Sequence, residues 1–281
     1  MSRTFDYSYL KSCIDSLSEK RLVFSNELQF QLELSRKFEE VFPDKVYLEV
    51  LSCDRDEKKK VYTDIVVETG ENEYVAIELK YKAAQCSKGM EFYQYQGVRG
   101  PVYLFPQGAY NISCIAYLQD IERLEHLVYG KLDYNMSGGQ KKILRGYAVI
   151  LTNDSLFFSP RDNEDKKDLC REFYINQKKD NQKSYIHGER AKWIWVDSNG
   201  DKVGGNLSKE AKARLRQIRM DSKTFASDEK AKNEYEKNIN DYPIITLCGN
   251  YEVNWHKYCL PEECLAGNPL FMYMISEVFD S

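Results

Sequence analysis

Phe30, Leu34, Phe38 and Val41 recur every three or four residues, the spacing of one helix face, and predict a helix from Ser25 to Phe42. Ser25 or Asn26 is placed to cap it, with Gln29 three residues after Asn26 at capping-box spacing, and Pro43-Asp44 ends it. The pattern then shortens to strand-like runs at Lys45–Leu51, Val61–Glu68 and Tyr74–Lys82. A charged loop, Asp54 to Lys60, separates the first two, and Thr69-Gly70-Glu71-Asn72-Glu73 makes a hairpin turn between the last two. An irregular stretch with Gly97, Gly100, Pro101, Pro106 and Gly108 leads to a second helical period, Tyr110–Tyr129, carried by Ile115, Leu118, Ile121, Leu124 and Val128. The continuous apolar run Gly146–Thr152 predicts a buried strand. The order αβββαβ implies an α/β fold, a mixed central sheet flanked by helices.

Beyond Pro160 the pattern weakens. Arg161–Lys183 is rich in Asp, Lys and Asn and suggests a surface excursion. Strands are expected at Trp193–Val196 and Ile244–Cys248, and another at Asn250–Lys257. A helix over Ser208–Met220 would put Ala211, Leu215 and Ile218 on one side and Lys212, Arg216 and Arg219 on another. There is no internal repeat and no convincing linker, so one domain over 1–281 is expected, with a core at about 20–155 and an elaboration at about 156–281.

Composition narrows the setting. No apolar run approaches the roughly 20 residues of a membrane helix. The stretch Met1–Tyr7 is too polar for a signal peptide, so the expectation is a cytoplasmic protein without membrane association. In that compartment the eight cysteines are expected to be reduced. The 21 tyrosines suit half-buried strands and interfaces. A formal charge of −4 argues against a nonspecific DNA coat protein but leaves room for a local basic patch.

The chemistry concentrates in the hairpin. Side chains alternate along a strand, so Glu78 and Lys80 share a face. A turn centred on Glu71 sets Asp64 directly opposite Glu78. Facing carboxylates about 5 Å apart are destabilising. A divalent cation between them reverses the sign, and Mg²⁺ favours a few hard oxygen ligands plus water and phosphate. Lys80 on the same face can orient water or stabilise charge developing on phosphorus.

A carboxylate on one strand, a short turn and Glu-x-Lys on the next resembles the PD-(D/E)xK, or restriction-endonuclease-like, nuclease superfamily, with Asp64 and Glu78-Leu79-Lys80 as the motif. The resemblance implies a restriction-endonuclease-like fold and Mg²⁺-dependent (or Mn²⁺-dependent) phosphodiester hydrolysis, most naturally of DNA. Asp64, Glu78 and the Leu79 carbonyl would hold the metal, Lys80 would assist the attacking water, and Glu27 on the preceding helix would join them. Thr63 stands where the superfamily has proline; Pro43-Asp44 ends a helix too far from Glu78 to replace it. Gly108-Ala109, the run Asp120 to Glu125, Gly146 to Asp154, His187-Gly188 and Glu252-Val253-Asn254-Trp255 are similar to a largely uncharacterised bacterial group within that superfamily, over roughly residues 20 to 260. Many such proteins act as homodimers, though no dimer signature stands in the sequence.

Each signal has a plainer reading. Glu-x-Lys also suits a solvated sheet face, and a first-turn Glu27 complements a helix dipole. Lys82 extends the Lys80 face and is a candidate phosphate contact or an exposed strand end. Lys212, Arg216 and Arg219 are candidate nucleic-acid contacts or an ordinary charged helix. Gln94 and Gln96 read as surface residues, and His126 and His187 as structural or solvated. Cys248, His256, Cys259 and Cys264 could ligate a metal, but their spacing matches no standard pair. The alternative to an enzyme is a nucleic-acid-binding or protein-interaction module that keeps the fold without cutting. A third reading is a toxin or defence component acting on RNA.

Overall fold

A computed structural model describes residues 4–19, 23–54, 60–84, 86–93, 99–104, 109–130, 132–134, 142–161, 170–179, 182–190, 195–196, 202–203, 244–258 and 270–280. The elements in chain order are α1 (Tyr7–Glu19), α2 (Glu27–Glu39), β1 (Val46–Asp54), β2 (Lys60–Gly70), β3 (Glu73–Lys82), β4 (Cys86–Tyr93), β5 (Arg99–Leu104), α3 (Tyr110–Val128), β6 (Leu132–Tyr134) and β7 (Lys142–Thr152). There follow a short α4 (Ser155–Phe158), a 3-10 turn at Arg171–Phe173, β8 (Tyr185–Arg190), β9 (Trp195–Val196), β10 (Lys202–Val203), β11 (Ile245–Glu252), β12 (Trp255–Lys257) and β13 (Met272–Phe279).

Seven strands form one mixed sheet in the order β12-β13-β7-β3-β2-β1-β6. The β1–β2–β3 meander is antiparallel, β7 lies parallel to β3 after the α3 crossover, and β13 runs antiparallel to β7. Three antiparallel two-stranded pairs, β4–β5, β8–β11 and β9–β10, stand outside it. The chain is thus a mixed α/β protein with helices against its central sheet. Among the described residues no helix is long and apolar enough to cross a membrane.

The sheet is apolar on both faces because two cores form on it. Odd-numbered Val75, Ile77, Leu79 and Tyr81 of β3 and Tyr147, Val149 and Leu151 of β7 join Leu10, Ile14 and Leu17 of α1 and Phe30, Leu34 and Phe38 of α2. Even-numbered Tyr74, Ala76, Ala148 and Ile150 pack against Ile115, Leu118, Ile121 and Leu124 of α3. Glu78 and Lys80 therefore belong to the α3 side by strand alternation alone. Gly146 permits this contact: a Cβ there would lie 2.9 Å from Leu124 Cβ, so α3 crosses β7 at a distance no side chain allows.

Local signals explain α2 and the hairpin. Asn26 Oδ1 accepts the Gln29 amide at 2.8 Å, and Gln29 Oε1 accepts the Ser25 amide at 2.8 Å, so the capping box closes on Ser25 rather than Asn26. The β2–β3 turn is tighter than its five-residue sequence signal: Asn72 adopts φ 59 and the register shifts between Glu68 and Gly70. Below that shift Ile65 faces Ile77, so the ladder approaches Asp64 and Glu78 in the expected register.

Four features differ from expectation. Helix α1 precedes the helix predicted as first. The irregular stretch contains the β4–β5 pair. The predicted strand at Asn250–Lys257 divides between the end of β11 and β12. Strand β13 lies inside the sheet between β12 and β7. The helix expected at residues 208–220, with Lys212, Arg216 and Arg219, lies outside the described residues, as do Gln94, Gln96, Cys259 and Cys264.

Candidate functional site

The β2–β3 ladder pairs no residues beyond Ile65 and Ile77, and side chains continue it. Backbone groups of alternate residues point to the same neighbour, so Leu79 and Tyr81 address the space β2 would have filled. Asp64 Oδ2 accepts the Leu79 amide at 2.6 Å, and Glu27 Oε2 accepts the Tyr81 amide at 2.7 Å. Two carboxylates thus cap a strand edge where a backbone would ordinarily lie. Gln31, one helical turn after Glu27, is buried and donates from Nε2 to the Asp64 carbonyl at 2.7 Å and to Glu49 Oε1 at 2.9 Å. Glu49 is held at φ 50, between the pairs Leu48–Ile65 and Val50–Thr63, in a backbone region that non-glycine residues seldom occupy.

Helix α3 supplies the opposite wall. Asp120 and Arg123 face β3 one turn apart. Lys80 Nζ lies 2.8 Å from Asp120 Oδ2, 3.0 Å from the Leu79 carbonyl and 4.0 Å from Glu27 Oε1. Arg123 grips Glu78 with two nitrogens, Nη2 at 3.0 Å from Oε2 and Nε at 3.3 Å from Oε1, and also contacts Asp120 Oδ1. The Glu78 and Asp120 side chains are each only 2% exposed, whereas Arg123 is 30% exposed. Asp120 therefore ties both cations to the site.

Electrostatics follow from this enclosure. Burial pushes the Asp64 carboxyl up to about 6, against the opposing pull of the Leu79 amide and Lys80. Burial, then the Asp120 carboxylate, holds Glu78 well above the usual range, and Arg123 only partly offsets them. For Lys80 burial acts to discharge the ammonium, but Asp120 and Glu27 outweigh it and raise its pKa. Arg123 is raised in the same way, Asp120 and Glu78 overcoming burial.

Glu27, Asp64, Glu78, Leu79 and Lys80, expected together from sequence, do meet at this end of β3. Lys82 follows on the same strand face, paired in register with Thr152. Asp120, Arg123, Gln31 and Glu49 were not expected there. Asp120 carried a signal: it lies at helical spacing between Tyr117 and Leu124, an acid within an apolar stripe. Cys248 and His256 do not form a centre with one another: Cys248 is exposed on β11, and His256 Nε2 is 2.9 Å from the Tyr7 hydroxyl.

The donor set suits a hard cation in type: two carboxylates and a backbone carbonyl. Among the described residues no group of three or more His, Cys, Asp or Glu side chains is arranged to hold a metal ion. If all are ionised, four carboxylates (Glu27, Asp64, Glu78 and Asp120) face two cations (Lys80 and Arg123), an excess of two negative charges. Burial is the largest cause of the upward displacement of Asp64 and Glu78, and the neighbouring carboxylates add to it.

In comparisons with known proteins, no family model, curated protein or solved structure matches the chain.

Proposed function

We propose that the protein is a metal-dependent nuclease of the restriction-endonuclease-like type, hydrolysing phosphodiester bonds, with DNA as the substrate to test first. The observation that carries the reading is the meeting of Asp64, Glu78, Lys80 and the Leu79 carbonyl at one end of β3, with two carboxylates that burial makes costly to ionise without a cation. The meander β1–β2–β3 after α2, with β7 parallel to β3 after the α3 crossover, is consistent with it.

Asp64, Glu78 and the Leu79 carbonyl would hold Mg²⁺, or Mn²⁺ in its place. A bound ion of this kind supplies an acidified water and a counter-charge for phosphate oxygens. Lys80, anchored by Asp120, presents its ammonium beside the Leu79 carbonyl, where it orients water or meets charge on phosphorus. Glu27 holds the Tyr81 amide and fixes the strand edge beside them. Tyr62, two residues before Asp64 and 53% exposed, offers a ring for base stacking. Lys82 and the Lys212, Arg216 and Arg219 cluster remain the proposed phosphate contacts, and a homodimer would serve to cut both strands.

One observation favours a second reading, a nucleic-acid-binding or interaction module without catalysis: Lys80 and Arg123 already pair with site carboxylates. Plasmid cleavage with Mg²⁺ or Mn²⁺, by the wild type and by Asp64→Ala, decides between them. Nicking that requires metal and vanishes in the variant supports the enzyme. DNA binding without cleavage, indifferent to Asp64, supports the module.

A further inference from the structure

Glu78 differs from the other site acids in how it is held. Both of its oxygens are engaged by one guanidinium, Oε2 by Arg123 Nη2 at 3.0 Å and Oε1 by Nε at 3.3 Å. This fork is the geometry by which arginine recognises carboxylates and phosphates alike. A metal ion binding Glu78 needs at least one of those oxygens, and both already face Arg123 in a side chain only 2% exposed, so the two cations compete for the same carboxylate. Lys80 contacts Asp120, Glu27 and the Leu79 carbonyl but neither oxygen of Glu78, so the competition for that carboxylate comes from Arg123.

Arg123 is also placed to leave without being lost. Its side chain is 30% exposed, and its Nη2 also contacts Asp120, three residues earlier on the same helix. A guanidinium freed from one carboxylate and retained by the other stays beside β3 with its fork open.

Resting on the nuclease reading, we infer that Arg123 is the resting counter-ion of Glu78: a divalent metal displaces it from that carboxylate, and the guanidinium, still tethered by Asp120, becomes a contact for the substrate phosphate. The site is therefore closed by its own arginine until metal enters. The exchange conserves charge balance, because the ion takes over the neutralisation of Glu78 while Arg123 moves to a second anion.

The test is calorimetric titration of Mn²⁺ into the full chain, at one pH, for wild type, Arg123→Gln and Arg123→Lys, beside plasmid cleavage. Removing a competitor tightens binding: Arg123→Gln should bind Mn²⁺ roughly tenfold more strongly or better, the low end of coupling between close charge pairs. Arg123→Lys should fall between, because a compact ammonium does not occupy both oxygens. Cleavage by Arg123→Gln should nevertheless be slower, with the loss in KM for DNA. Wild-type binding with equal or weaker binding in Arg123→Gln overturns the exchange while leaving the nuclease reading intact. No Mn²⁺ binding by either protein overturns the metal reading and the exchange with it; binding by Arg123→Gln alone supports the exchange. If Arg123→Gln shows no cooperative thermal transition, Arg123→Lys alone decides: tighter binding than wild type supports the exchange, and equal or weaker binding overturns it.

Discussion

Asp64 takes the amide hydrogen of Leu79 at 2.6 Å, where the β2–β3 backbone ladder has ended. That bond makes the acid a structural substitute for a strand partner, and it draws a carboxylate into a setting that penalises its charge. Its pKa lies above the unfolded value of 3.8, at about 6, so the folded protein holds the proton more tightly than the unfolded chain. The associated stability is present in full below pH 3.8 and is lost as pH rises through about 6.

Asp64→Asn keeps an oxygen for the Leu79 amide and removes the ionisable group. In EDTA the variant should be more stable than wild type by about 1–3 kcal/mol at pH 8, with the difference vanishing below pH 4. Thermal unfolding at the two pH values measures it. A variant no more stable than wild type at pH 8 would contradict the buried-charge account.

Lys80→Met should abolish the role assigned to the ammonium while sparing the metal ligands. Cleavage should fall roughly 10²–10³-fold, the cost of losing one charge-stabilising donor. Mn²⁺ binding should persist in calorimetry. Cleavage at the wild-type rate would remove Lys80 from the chemistry.

Glu125 of α3 holds the β8–β11 pair. The register of β11 slips between Leu247 and Asn250, which leaves the Cys248 and Gly249 amides without strand partners. Glu125 accepts both, at 2.9 and 2.7 Å, and the Tyr251 hydroxyl at 2.6 Å, while Glu122 accepts the Thr246 amide. Glu125→Ala should cost about 2–4 kcal/mol by urea unfolding, part of the loss being met by water at exposed Cys248. Hydrogen exchange at Cys248 and Gly249 should rise. Unchanged protection there would refute the anchor.

Glu49 tests strain at the site's rim. Glycine at φ 50 loses the left-handed penalty and gains chain entropy in the unfolded state, so Glu49→Gly should lie within about 0.5 kcal/mol of wild type. Glu49→Val, a branched residue in the same conformation, should cost at least about 1 kcal/mol. Equal losses in the two variants, by urea denaturation, would mean that the side chain rather than the backbone matters.

How much of this was legible depended on range. Helix α2, the hairpin register and the period of α3 were readable because each is local, set by capping, turn chemistry and alternation over a few residues. Helix α1 was equally readable from Leu10, Cys13, Ile14 and Leu17, yet lay before the segment that held the motif. Strand β13, whose Met272 to Ile275 are as apolar as β7, carries no local mark of where in the sheet it inserts. The five expected site residues came from one hairpin and one neighbouring helix. Asp120 and Arg123 belong to a helix beginning nearly thirty residues after β3 ends, and only the crossover brings them to Glu78 and Lys80. Their charges lie on the helix face that packs against the sheet, which was the available warning.

The position of β13 also bears on synthesis. Arg145 and Glu277 pair across β7 and β13 from 132 residues apart in the chain. A nascent chain emerging from the ribosome can assemble the meander, α3 and β7, and with them every described residue of the candidate site, long before β13 exists. Throughout that interval the outer edge of β7 stands open, an apolar ribbon with unpaired amides and carbonyls. The vulnerable interval for this protein therefore runs from the synthesis of β7 to that of β13, while the sheet still lacks the strand that covers this edge.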